Sequence, residues 1–145
     1  MALSPLFLAG PREISWRWWH HLVATTVMVG VALAVSWSGS LVCTAPRELM
    51  GEWPCAALLL LGLGSVYGLP ALPVGVLVLW ALRSYGLAGP GPVAATGAAL
   101  GALMTAWLFG PGQVEAALVT ALAGVGAILA LLYRMVLALF ARGAE

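Results

Sequence analysis

A chain of 145 residues that is 63% hydrophobic and 8% charged lies far from the ~45–50% apolar, ~25% charged composition of soluble domains. Its charges are six Arg and five Glu, with no Lys and no Asp, for a formal net charge of +1. This composition excludes a soluble globular core and offers no clustered basic surface for nucleic acid; the chain reads as an all-α integral membrane protein whose surroundings are the lipid bilayer. The lack of Lys, Asn and Asp beside abundant Ala, Gly, Leu and Arg points to GC-rich codon usage and a bacterial source.

Four apolar runs follow in order, in one membrane domain covering residues 1–145. The first, 21–42, has about the ~20 residues that a ~30 Å hydrocarbon core requires. The second, 55–82, is longer than one crossing needs, and Pro70 and Pro73 predict a break or kink within it. The third, 92–109, is short, and the fourth, 114–140, includes an apolar extension through Phe140. The expected architecture is a four-transmembrane-helix bundle with a Pro-kinked second helix and both termini on one side.

Orientation follows from positive charge in the short connections. Arg12 and Arg17 precede the first run, Arg83 follows the second, and Arg134 and Arg142 end the fourth, so five arginines share one face. Arg47 alone lies in the first opposite loop. The expectation is a multi-pass protein of the bacterial inner membrane with cytoplasmic N and C termini. Trp16, Trp18 and Trp19 before the first run, and Trp53, Trp80 and Trp107 near the ends of others, agree with interfacial aromatic belts. A cleaved export signal is the alternative for the first run. Val42 before Cys43 is too large for a lipoprotein cleavage site, and the run exceeds a signal core of ~7–15 apolar residues.

Cys43 and Cys55 flank the first external loop, CTAPRELMGEWPC. In an oxidising compartment the expected state is a disulfide, worth ~3 kcal/mol by the chain-entropy account; the alternative is two unpaired thiols behaving as small apolar residues. Between the cysteines, Arg47, Glu48, Glu52 and Trp53 make the most chemically varied external segment, either a partner-binding loop or simply a solvated one.

Paired carboxylates, a Ser-His-Asp set, a metal-ligand cluster and a phosphate loop are all missing, so the expectation is a non-enzyme without cofactor or metal. His20 and His21 invite a haem or pigment reading. A bis-histidine site would need another His at comparable depth, and the chain has only these two. The glycines of GLGSVYG, 62–68, lie inside an apolar run rather than after a soluble strand.

Small residues four apart are the most prominent motif: Gly64 with Gly68, Gly97 with Gly101, and Thr120 with Gly124. Such pairs let backbones approach where lipid provides no hydrophobic drive between helices. Arg134, beside Tyr133, is expected to snorkel to the interface as a topology anchor, and Glu115 to sit at the positive end of the fourth helix dipole.

The stretch VYGLPALPVGVLVLWALRSYGLAGPGPVAATGAALGALM resembles a pattern of small uncharacterised bacterial four-span membrane proteins: a Gly-Leu-Pro break, a Leu-Arg-x-x-Gly-Leu turn at Leu82–Leu87, then a Gly/Ala-rich span. The resemblance implies topology and no particular activity. By elimination, the expected function is that of a noncatalytic accessory or assembly subunit, or an immunity-type binding partner, acting on another membrane protein. The alternative is a small homo-oligomeric channel or transporter for a neutral or apolar substrate, with the Pro70–Pro73 break in its pathway.

Overall fold

The computed structural model describes residues 17–44, 62, 66, 68–110 and 116–142, and the regular elements among them are all helical. They are α1 (Trp18–Thr44), a 3-10 turn at Leu69–Ala71, α2 (Leu72–Ser84), α3 (Pro90–Phe109) and α4 (Ala116–Arg142). Among the described residues three segments are long and apolar enough to cross a membrane: Trp18–Gly39 within α1, α3 and α4. At 1.5 Å per residue α3 rises ~30 Å, the thickness of a hydrocarbon core. The 13 residues of α2 rise only ~20 Å, so the described helix does not by itself make the fourth span expected over 55–82.

Lipid explains why these sequences are helical. The Val- and Thr-rich first half of α1 has weak intrinsic helix propensity in water, but in hydrocarbon every N–H and C=O must find a partner within its own segment. Hydroxyls obey the same rule. Thr26 donates to Leu22 O (2.9 Å), Ser38 to Ala34 O (2.8 Å), Thr96 to Pro92 O (2.9 Å), Thr105 to Gly101 O (2.7 Å) and Thr120 to Ala116 O (2.8 Å). Each is thereby returned to its own helix.

Proline and glycine set the ends. Pro70 lies in the 3-10 turn, and Pro73 is the second residue of α2, where its missing N–H costs no helical bond. Pro90 and Pro92 occupy the first turn of α3 in the same way. After α2 the chain turns at Gly86, whose φ is +70°. Gly86 N–H donates to Arg83 O (2.9 Å) and Leu87 N–H to Leu82 O (2.8 Å), the paired bonds of a Schellman motif. The Leu-Arg-x-x-Gly-Leu turn noted in the sequence is therefore a helix stop in which glycine supplies the left-handed residue.

The helices pack antiparallel to their neighbours. The start of α1 lies against the end of α4, where His21 meets Tyr133 and His20 meets Phe140. Gly97 and Gly101 of α3 face Gly126 and Leu122 of α4. Arg17, Arg83, Arg134 and Arg142 consequently gather at one end of the molecule. A core of Ala24, Met28, Leu79, Ala88, Val93, Tyr133 and Leu137 sits toward that same end.

Candidate functional site

Contact between α3 and α4 dominates the packing. A Cβ at Gly97 would collide with the Gly126 carbonyl oxygen and lie 2.6 Å from Ala130 Cβ. One at Gly101 would collide with the Leu122 carbonyl oxygen and come 3.2 Å from Ala123 Cα. Only glycine permits this backbone approach. The ridge Val93, Gly97, Gly101 and Thr105 on α3 thus meets Leu122, Gly126 and Ala130 on α4, each with i, i+4 spacing.

Thr120 and Gly124, expected as helix-packing residues of the fourth run, are exposed, and nothing lies within 4 Å of a Cβ at Gly124. The glycine of α4 that meets α3 is Gly126, set against Gly97 and Gly101. A signal was present: Leu118, Leu122, Val125, Leu129, Leu132 and Val136 repeat at alternating four- and three-residue steps, and Gly126 adjoins that stripe while Gly124 does not. Gly68, from the first small-residue pair, lies near Leu129, whose Cδ1 would stand 4.0 Å from an added Cβ.

At the arginine end, aromatic and imidazole rings join α1 to α4. His20 is buried, stacked on Phe140 with centroids 4.5 Å apart and planes 8° apart. Trp19 meets His20 edge-on at 3.8 Å and Phe140 at 5.9 Å. His21 Nδ1 and the Tyr133 hydroxyl are hydrogen-bonded at 2.8 Å. The two histidines thus engage different side chains of α4. No group of three or more His, Cys, Asp or Glu suited to a metal occurs among the described residues. Arg134 Nε donates to the Ala88 carbonyl at 2.9 Å, tying α4 to the buried turn before α3.

Between α2, α3 and α4, with Met28 of α1 at one side, lies a partly open slot of about 270 Å³. It runs from Leu82, Val93 and Tyr133 at the arginine end to Leu108, Phe109 and Leu118 at the other, past Gly68, Gly97 and Gly101. Its walls are almost wholly apolar. The hydroxyls of Thr96 and Thr105 donate to their own helix and that of Tyr133 is engaged by His21, so among the described residues the lining presents no uncommitted hydroxyl to a polar ligand.

Pro70 and Pro73 flank Ala71 and Leu72, which line this slot. Gly64, Cys55, the Cys43 side chain, and the loop residues Arg47, Glu48, Glu52 and Trp53 lie outside the described residues. No family model, curated protein or solved structure matches the chain. Among the described residues the fold is all-helical, with three helices long and apolar enough to span a bilayer, the features of a membrane protein.

Proposed function

We propose that the protein is a noncatalytic membrane subunit that recognises another membrane protein through α1, as an accessory, assembly or immunity-type partner. The observation that carries this reading is a second ridge on α1. His20, Ala24, Met28 and Ala32, each at most 5% exposed, face the interior. On the opposite side Thr26, Gly30, Ala34 and Ser38 recur at the same four-residue spacing and are all exposed, with nothing within 4 Å of a Cβ at Gly30. Small residues at this spacing are the surface on which membrane helices associate. Within the chain, the matching surface of α3 is already occupied by α4.

In this reading the run 55–82 completes a fourth span, broken at Pro70 and Pro73. The arginine end faces the cytoplasm of a bacterial cell, with both termini there. Cys43 and Cys55 then lie on the oxidising side, where a disulfide would brace the loop carrying Arg47, Glu48, Glu52 and Trp53.

Native mass spectrometry of protein gently extracted from its own membrane tests the proposal. The expected result is one heterologous subunit at fixed ratio, released by Gly30→Leu but retained by Gly124→Leu. A pure homo-oligomer indifferent to Gly30→Leu would defeat it. The apolar slot favours one second reading, a homo-oligomeric carrier for an apolar substrate. That reading predicts flux that falls when Gly75→Leu narrows the slot.

A further inference from the structure

We draw no further inference here: the strongest candidate, the partly open apolar slot between α2, α3 and α4, carries nothing because nothing in the structure shows what covers it.

Discussion

Helix α4 is held on two sides by different means. Against α3 the backbones themselves meet at Gly97, Gly101 and Gly126, where a Cβ on either side would collide with a carbonyl oxygen. Against α1 the contact runs through side chains: Ala24 and Met28 join the core with Tyr133 and Leu137, His20 stacks on Phe140, and His21 bonds Tyr133. A backbone seam has no slack, because carbonyl oxygens cannot rotate away as rotamers do. A side-chain interface can yield, since rings and methylenes have alternative rotamers. The α3–α4 pair is thus the rigid unit, and α1 is the element best able to adjust to a neighbour.

Four measurements of reversible unfolding in bicelles would break or sharpen this contrast. The largest effect is expected from Gly126→Leu, which sets a branched side chain against the Gly97 carbonyl; a loss of at least ~3 kcal/mol is expected from overpacking, whereas Gly124→Leu should stay within ~0.5 kcal/mol as a surface change. Equal losses at the two glycines would remove the seam.

Arg134→Met should cost ~2 kcal/mol, because the buried Ala88 carbonyl loses its Nε donor. Arg134→Lys, with no guanidinium, should recover at most part of that loss. Next, Ala24→Leu places comparable bulk on the α1 side. There a loss of ~1.5 kcal/mol is expected, and a loss matching Gly126→Leu would show that α1 is as rigidly held as α3. The smallest effect is Tyr133→Phe, which deletes the hydrogen bond to His21; ~0.6 kcal/mol is typical of such bonds between membrane helices, and helix content by circular dichroism should not change.

Legibility from sequence differed by element. The runs expected over 92–109 and 114–140 correspond to α3 at Pro90–Phe109 and α4 at Ala116–Arg142. Gly97 and Gly101 stood out by their spacing, and the structure sets both against α4. Their counterpart was harder to read. Thr120–Gly124 satisfies the same four-residue rule as Gly126–Ala130, and in an apolar helix lipid-facing and protein-facing sides have similar composition. Choosing between them requires knowing which way α4 is rotated. Likewise His20 and His21 were visible as a pair, but their separation onto Phe140 and Tyr133 depends on where the end of α4 comes to rest.

Composition alone determined that this chain belongs in lipid and is helical there, since hydrocarbon offers no outside partner for a peptide group. Local chemistry determined where helices stop, as Gly86 does after α2 and the prolines do at the start of α2 and α3. Only tertiary structure decided which small residues meet, that the Thr26–Ser38 ridge of α1 stays exposed, and that a partly open apolar slot lies between α2, α3 and α4. The physical reason is that in a bilayer hydrophobicity no longer distinguishes inside from outside. Helix rotation is left to shape complementarity, a property of pairs of helices that no single stretch of sequence contains.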